Sequence, residues 1–177
     1  MASKPAWKAA LQHAELHWVT PMDVSDFEEG RFGPERAAFL KSEWGIYLWR
    51  VKAWGGFARR NLYVGQTWDG FARRTRAHLS GDVGTKLRAL RNDGKEPYFF
   101  CAAVRPGDVP SGRGSTEWPK MFLDSVELAL IWELNPEFNT QFKVTMELPL
   151  SVRLTHTGEV PAGLGVIEMK KDKYHRT

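Results

Sequence analysis

The chain has 177 residues, of which 42% are hydrophobic and 26% charged, and it carries a formal net charge of +4 at pH 7. This composition is typical of a globular protein and excludes intrinsic disorder, a collagen-like repeat and a small disulfide-stapled scaffold. The single cysteine, Cys101, cannot form an internal disulfide, so no oxidising compartment is required. The sequence shows no signal-peptide core and no apolar stretch long enough for a bilayer, so we expect a soluble, cytoplasmic protein without a membrane partner.

The basic residues are concentrated in the middle of the chain. Residues 45–95 contain eleven Lys and Arg and three acids, whereas residues 1–44 contain five and seven, and residues 96–177 contain nine and eleven. A basic centre between mildly acidic flanks is typical of a protein that binds a polyanion. A solvated basic face without a partner is the alternative. The candidate phosphate contacts are Arg59, Arg60, Arg73 and Arg76.

The first elements are predicted from proline positions and from β-branched and aromatic runs. Proline at the first helical position, where its missing N–H costs nothing, favours helices over residues 5–18 and 34–42. Runs rich in Tyr, Trp, Ile and Val predict strands at residues 45–52 and 61–67, which a glycine-containing hairpin connects.

The rest of the chain predicts three helices and four strands. The helices, identified by apolar residues three and four positions apart, cover residues 70–79, 83–91 and 121–134. An apolar run predicts a central strand at residues 98–104. Alternating patterns predict further strands at residues 142–148, 151–156 and 166–169. The basic tail, residues 170–177, is expected to fray.

Two tyrosine–glycine motifs lie on the two neighbouring predicted strands, as Gly45-Ile46-Tyr47 and Tyr63-Val64-Gly65. Glycine weakens a strand unless a ligand or another backbone must approach closely. The motifs therefore predict two phenols beside one open patch. Tyrosines that simply pack within a sheet are the alternative interpretation.

The helix over residues 70–79 separates its basic side chains. At about 100° per residue, an inward stripe is formed by Ala72, Thr75 and Leu79. Arg74 and His78 lie beside that stripe, four residues apart, so they reach the same spot. A planar guanidinium fits a phosphate, and an imidazole can move a proton or hydrogen-bond a phenol. Arg73 and Arg76 lie on the far side, where they are surface charges or phosphate contacts.

Glu127 is the most informative residue of the longest predicted helix. Of the four residues one turn away, Leu123, Leu130 and Ile131 are apolar and only Asp124 is not. The carboxylate therefore borders the core, where it needs a partner, a raised pKa or a metal ion. A structural salt bridge to an arginine is the alternative.

Tryptophan is abundant, with eight residues in the chain. Core packing is the default interpretation of these side chains. Trp54 and Trp68 lie near glycines, and they are candidates for stacking on bases.

Together, these residues resemble the GIY-YIG nuclease family, whose motif order is matched by Gly45-Ile46-Tyr47, Tyr63-Val64-Gly65, Arg74, His78, Glu127 and Asn139. Each tripeptide alone is a weak signal, but six elements in this order on suitable secondary structure are specific. Two departures exist within the matched residues, 45–139. The arginine falls eleven residues after Tyr63, which leaves Arg73 as an alternative to Arg74, and Gln66 stands where some members have lysine.

The resemblance implies an α/β (α+β) fold with a small antiparallel three-stranded sheet flanked by helices. Residues 45–139 would form the nuclease core. Residues 1–44 would be an N-terminal helical extension. Residues 140–177 would be a C-terminal β-rich extension packed on the core, within one compact domain.

The implied activity is metal-dependent hydrolysis of DNA phosphodiester bonds, with sequence-specific double-strand cleavage of the restriction type. Glu127 would bind one Mg²⁺, or another divalent cation such as Mn²⁺. A homodimer would suit a palindromic target. The alternatives are a repair, mobile-element or toxin-type nuclease with the same core, and a non-catalytic nucleic-acid-binding module.

The resemblance also assigns roles to the remaining motif residues. Tyr63 or Tyr47 would act as general base on the attacking water. Arg74 would neutralise charge that develops on the phosphoryl oxygens. His78 would orient or deprotonate a tyrosine, because an unperturbed phenol pKa of about 10 makes a poor base at neutral pH. Asn139 would hold the site together through hydrogen bonds.

Overall fold

The fold was analysed in a computed structural model, which describes residues 6–51, 60–110, 115–142 and 144–176. Arg59 and Trp54 lie outside these residues. The α-helices are α1 (Val24–Glu29), α2 (Pro34–Ser42), α3 (Phe71–Leu79), α4 (Asp82–Asn92) and α5 (Trp118–Leu134). The strands are β1 (Gln12–Trp18), β2 (Met22–Asp23), β3 (Gly45–Val51), β4 (Arg60–Thr67), β5 (Pro97–Pro106), β6 (Thr145–Glu147), β7 (Val152–Gly158), β8 (Ile167–Met169) and β9 (Lys173–His175).

The main sheet has seven strands. Six of them follow the order β4-β3-β5-β1-β7-β8, and the short β2 also pairs with β5. The three strands β4, β3 and β5 are antiparallel to their neighbours, whereas β1 runs parallel to β7. The mixed α+β class is therefore confirmed, but the sheet is larger than the expected three strands because β1, β7 and β8 extend it beyond β5. Strand β4 is left at one edge.

Both faces of the sheet are covered, and β3 shows this most clearly. All seven of its residues are buried. Ile46 and Leu48 join the core that contains the apolar face of α5. Tyr47 and Trp49 point the other way, into the core formed with α1 to α4. Because side chains alternate along a strand, Tyr47 faces helix α3.

The predicted helices from residue 34 onward are confirmed. The second predicted helix matches α2, and those at 70–79, 83–91 and 121–134 correspond to α3, α4 and α5. Helix α5 ends at Leu134, and the φ of 44° at the following Asn135 lies in the left-handed region that stops a helix. Across the described ranges, no helix combines the length and apolar character needed to cross a bilayer.

Two sequence-based expectations are wrong. The helix predicted over residues 5–18 is not found in the described part, residues 6–18, where a 3-10 turn at Ala6–Lys8 precedes β1. Strand β1 alternates strictly between buried and exposed residues and is paired on both sides, so a period of two outweighs the proline signal. The tail is also ordered where Lys173–His175 forms β9 and pairs with β6.

Candidate functional site

The site is built around the edge strand β4, whose outward backbone groups are paired by the segment that follows α5. The Val64 N–H donates to Asn139 Oδ1, and Asn139 Nδ2 donates to the Val64 carbonyl, both at 2.8 Å. The Phe138 N–H donates to the Leu62 carbonyl at 2.7 Å. Buried Asn139 thus replaces a neighbouring strand at Val64, which holds β4 against the end of α5.

Two residues further along β4, Gln66 contacts the carboxylates of α5. Both its backbone N–H and its side chain hydrogen-bond the Glu127 carboxylate. Its Nε2 also donates to Asp124 Oδ1 at 2.7 Å, and Lys120 Nζ donates to the other oxygen of Asp124 at 2.6 Å. Gln66 Oε1 is buried without a hydrogen-bond partner among the described residues.

Glu127 lies partly buried between the core and this network, as its apolar neighbours predict. Burial raises the pKa of its carboxyl to about 7, and the nearby Asp124 carboxylate adds to the effect. The charge of Arg74 and the two hydrogen bonds from Gln66 act in the opposite direction. A carboxyl with this pKa is partly protonated at neutral pH. A nearby cation would favour its ionised form.

The oxygen atoms at this end of α5 fit a hard divalent cation. Mg²⁺ prefers oxygen ligands, takes one or two protein carboxylates and keeps several waters. Glu127 would supply a carboxylate and the unpartnered Oε1 of Gln66 a carbonyl oxygen, whereas both oxygens of Asp124 already accept hydrogen bonds from Gln66 and Lys120. The described part of the chain contains no cluster of three His, Cys, Asp or Glu that could enclose a metal. The donor set therefore fits one open, partly hydrated Mg²⁺ site.

On the other side of β4, His78 lies against both tyrosines. The Tyr47 hydroxyl and His78 Nε2 are 3.1 Å apart, within hydrogen-bond distance. The His78 ring centroid is 5.6 Å from that of Tyr47 and 5.1 Å from that of Tyr63. In the register of β3 with β4, Tyr47 lies opposite Gly65, so both phenols share one face of the sheet.

Burial sets the protonation states of these three groups. It raises the pKa of the fully buried Tyr47 well above its usual range, and Tyr63 adds to the rise. The pKa of Tyr63 is also raised, by burial and by the charge of Glu127, although Arg74 and a hydrogen bond from Tyr47 oppose the rise. Burial, assisted by Arg74, lowers the pKa of His78 to about 4. At neutral pH the site therefore holds two phenols and an uncharged imidazole.

Helix α3 directs Arg74, rather than Arg73, toward the tyrosines. The Arg74 guanidinium interacts with the Tyr47 hydroxyl by charge and by hydrogen bonding, and it also senses the charge of Glu127. Arg73 instead forms an exposed ion pair with Asp69, with 2.5 Å between Nη2 and Oδ2. Two members of the predicted inward stripe, Thr75 and Leu79, are buried, whereas Ala72 is only half-buried and Phe71 takes its place in the core.

The other candidate phosphate contacts have different surroundings. Arg60 makes two hydrogen bonds to the Glu137 carboxylate, so its guanidinium already has an internal partner. Arg76 is exposed on α3. Arg59 lies outside the described residues.

Two hollows open along β4. One, of about 310 Å³, is lined by Tyr63 and Glu127 together with the segment from Phe138 to Phe142. The other, of about 250 Å³, is lined by residues 66–69 with Arg73 and Arg74. Larger cavities of about 500 and 340 Å³ lie around Tyr98, and they contain no member of the tyrosine–arginine–glutamate cluster.

Sequence reasoning missed the contributions of Gln66 and Asp124 to the site. Asp124 is three residues before Glu127 on α5, and this spacing alone places both carboxylates on one helix face. No signal in the sequence identifies Gln66 as their partner, because that contact joins β4 to a helix 58 residues away.

Comparison with known proteins adds no assignment: no family model, curated protein or solved structure matches the chain. The interpretation of the site therefore depends on the geometry of its own residues. Five of the six catalytic candidates form one cluster, listed in chain order as Tyr47, Tyr63, Arg74, His78 and Glu127. The sixth, Asn139, holds the strand that carries Tyr63.

Proposed function

We propose that this chain is a metal-dependent endonuclease of the GIY-YIG type that hydrolyses DNA phosphodiester bonds. One observation carries the proposal: strands β3 and β4 and helix α3 bring two phenols and an imidazole into contact, and a guanidinium of α3 and a carboxylate of α5 lie close enough to influence the phenols by charge. Perturbed titratable groups that converge beside a hollow are typical of a catalytic site. A cation for phosphate oxygens, a metal-binding carboxylate and a proton acceptor are what phosphodiester hydrolysis requires.

Tyr63 is the tyrosine placed to activate water. Tyr63 lines the 310 Å³ hollow together with Glu127. Tyr47 is fully buried and does not line that hollow. Burial and the charge of Glu127 keep the pKa of Tyr63 raised, and the charge of Arg74 and the hydrogen bond from Tyr47 only oppose that rise. His78 holds the Tyr47 hydroxyl in place through Nε2. The Tyr63 phenol would first release its own proton to solvent in the hollow, and the resulting phenolate would then accept the proton of the attacking water.

Arg74 and Glu127 act on the phosphate. The Arg74 guanidinium, fixed by Tyr47, would stabilise negative charge on the phosphoryl oxygens. A divalent cation held by Glu127 would supply Lewis-acid charge at the scissile phosphate. Because the pKa of Glu127 is about 7, protons compete for this carboxylate below neutral pH.

The surroundings of the site support DNA as the substrate. The net positive charge of residues 45–95 suits a polyanion. Strands β4, β3 and β5 would correspond to the three-stranded GIY-YIG sheet, and the elements on either side would supply target recognition. The proposal includes a cytoplasmic protein with restriction-type, sequence-specific cleavage, and a homodimer on a palindromic target.

Plasmid cleavage tests the proposed function. Purified protein is incubated with supercoiled plasmid in Mg²⁺, in Mn²⁺ and in EDTA, and the ends of any products are sequenced. We expect cleavage with either metal, no cleavage in EDTA and ends that share one sequence. Intact plasmid under all three conditions would contradict the endonuclease proposal, and ends without a common sequence would contradict its restriction-type form.

A further inference from the structure

Two exposed aromatic rings border the site. Among the described residues, Trp68 and Phe142 are the aromatic members of the exposed large hydrophobic side chains, and each is 43% exposed. Trp68 lines the hollow that contains Arg74, and Phe142 lines the hollow that contains Tyr63 and Glu127. One exposed ring is therefore found in each of the two hollows beside β4.

Trp68 is held rigidly while part of its ring remains accessible. Its indole stacks on that of Trp44, with ring centroids 5.2 Å apart and planes only 4° from parallel. The turn that carries it is closed by Thr67, whose hydroxyl donates to the Gly70 carbonyl at 3.1 Å. A ring fixed in this way loses little conformational freedom when a planar ligand stacks on it.

Phe142 combines exposure with an unfavourable backbone. Its φ of 65° lies in the left-handed region, which favours glycine and is unusual for a bulky residue. Because the ring is exposed, its packing in the protein does little to offset the cost of this backbone conformation. Strained residues of this kind cluster at ligand-binding segments, and this one lies three residues after Asn139, which fixes β4.

We propose that Trp68 and Phe142 are stacking platforms for nucleobases on the two sides of the scissile phosphate. The substrate is then a DNA strand whose bases are unstacked at the cleavage point. This inference rests on the proposed function and specifies its substrate. Arg73 and Arg74 line the same hollow as Trp68, so a base can stack where a neighbouring phosphate meets positive charge.

An intact duplex, including a restriction-type target, would reach these rings only after local unstacking. Within a duplex each base is covered by its neighbours, so stacking on a side chain requires local unstacking, which costs free energy at each step. A mismatch, a bulge or a single strand lowers that cost. The two rings therefore favour DNA whose helix is already interrupted at the site of cleavage.

Binding measurements in EDTA test this inference without cleavage. The probes are a fluorescent oligothymidylate, a paired duplex, and the same duplex with a two-nucleotide mismatch, at matched salt. We expect the wild-type protein to bind the oligothymidylate and the mismatched duplex more tightly than the paired duplex. Trp68→Ala and Phe142→Ala should each weaken binding to oligothymidylate by about tenfold, with an unchanged salt slope because no phosphate contact is lost.

Conservative and remote variants separate stacking from general damage. Trp68→Phe and Phe142→Tyr keep an aromatic face and should bind nearly as the wild type. Val166→Ala removes an even more exposed apolar side chain beside β8, at the far end of the sheet, and should change nothing. Phe142→Gly relieves the left-handed backbone, so it should raise the melting temperature while binding falls.

The outcomes distinguish this inference from the proposed function. Tightest wild-type binding to the paired duplex, or unchanged binding by both alanine variants, would overturn the stacking inference even if the protein cleaves plasmid. Ring-dependent binding by a protein that cleaves nothing in Mg²⁺ or Mn²⁺ would instead overturn the endonuclease proposal. Ring-dependent binding together with metal-dependent cleavage would support both.

Discussion

Tyr47 occupies the space that any side chain at position 65 would need. The two residues pair directly across β3 and β4, and a Cβ added to Gly65 would lie 2.4 Å from both Cζ and Oη of Tyr47. Gly45 meets a similar limit, since its Cβ would lie 2.1 Å from the Ala102 carbonyl oxygen. The absence of a side chain at these two motif glycines therefore lets a neighbouring residue lie against the strand. At Gly65 that neighbour is the Tyr47 ring, whose hydroxyl then reaches His78.

Gly65→Ala should displace Tyr47 and break its hydrogen bond to His78. Overpacking of this kind typically lowers the free energy of unfolding by about 1–3 kcal/mol. The cleavage rate should fall by more than the loss of folded protein accounts for. Urea unfolding and single-turnover cleavage measure the two effects. Gly81→Ala is the matched control, because its Cβ would make only an ordinary 3.6 Å contact. Normal cleavage by Gly65→Ala would show that the position of Tyr47 is unimportant.

Asn139→Ala should loosen β4 without removing a reacting group. The change leaves the Val64 N–H and carbonyl without their side-chain partners, and such a loss costs about 1–3 kcal/mol in a buried setting. Hydrogen exchange should accelerate at the Val64 amide. Thr140→Ala, in the same hollow, serves as a control. Unchanged protection at Val64 would contradict the positioning role.

The contributions of Glu127 and His78 to the free energy of unfolding should change with pH in opposite directions. The pKa of Glu127 is raised from 4.5 to about 7, so its contribution to stability falls as pH rises through that interval. The pKa of His78 is lowered from 6.5 to about 4, so its contribution rises between pH 4 and 6.5. In the wild-type protein the two slopes largely offset each other.

Single variants should expose each slope in urea unfolding at several pH values in EDTA. Glu127→Gln should become more stable as pH rises from 4 to 6.5, and above pH 7 it should exceed the wild type by up to about 3 kcal/mol. His78→Asn should instead lose stability between pH 4.5 and 7. A Glu127→Gln protein with the wild-type pH profile would show that this carboxyl titrates normally.

Replacing Arg74 and replacing Arg73 should affect different steps, the first turnover and the second DNA affinity. Arg74 contacts Tyr47 within the cluster, so Arg74→Ala should reduce turnover by about 10² or more, as expected when a fixed stabilising charge is lost. Arg73 pairs with Asp69 on the surface, so Arg73→Ala should change affinity more than turnover. Single-turnover cleavage at saturating protein separates chemistry from binding. The reverse pattern would contradict the observed orientation of α3.

Local patterns predicted the elements that carry the cluster. Apolar periodicity identified α3 and α5, and a helical wheel separated Arg74 from Arg73 on α3. The same sequence rules fail at β1, where a nearby proline predicts a helix but the alternation of Gln12–Trp18 belongs to a strand. A period-2 pattern over seven residues is the stronger signal, because register then decides which face is buried.

Long-range contacts could not be predicted from local patterns. The parallel pairing of β1 with β7 joins segments about 140 residues apart, and no local propensity encodes it. The same holds for Asn139, whose amide bonds Val64, 75 residues away: the resemblance implied a holding role for it, but no local pattern identified its partner. Composition and spacing thus identified candidate chemistry, whereas tertiary pairing determined which groups meet.

The most direct test of the account compares Glu127→Gln with the wild-type protein. Glutamine keeps the size of the side chain but removes the carboxylate that would hold the cation. DNA binding is measured in EDTA and plasmid cleavage in Mg²⁺. We predict that the variant binds DNA at least as tightly as the wild type and cleaves none. Metal-dependent cleavage by Glu127→Gln at the wild-type rate would contradict the central claim.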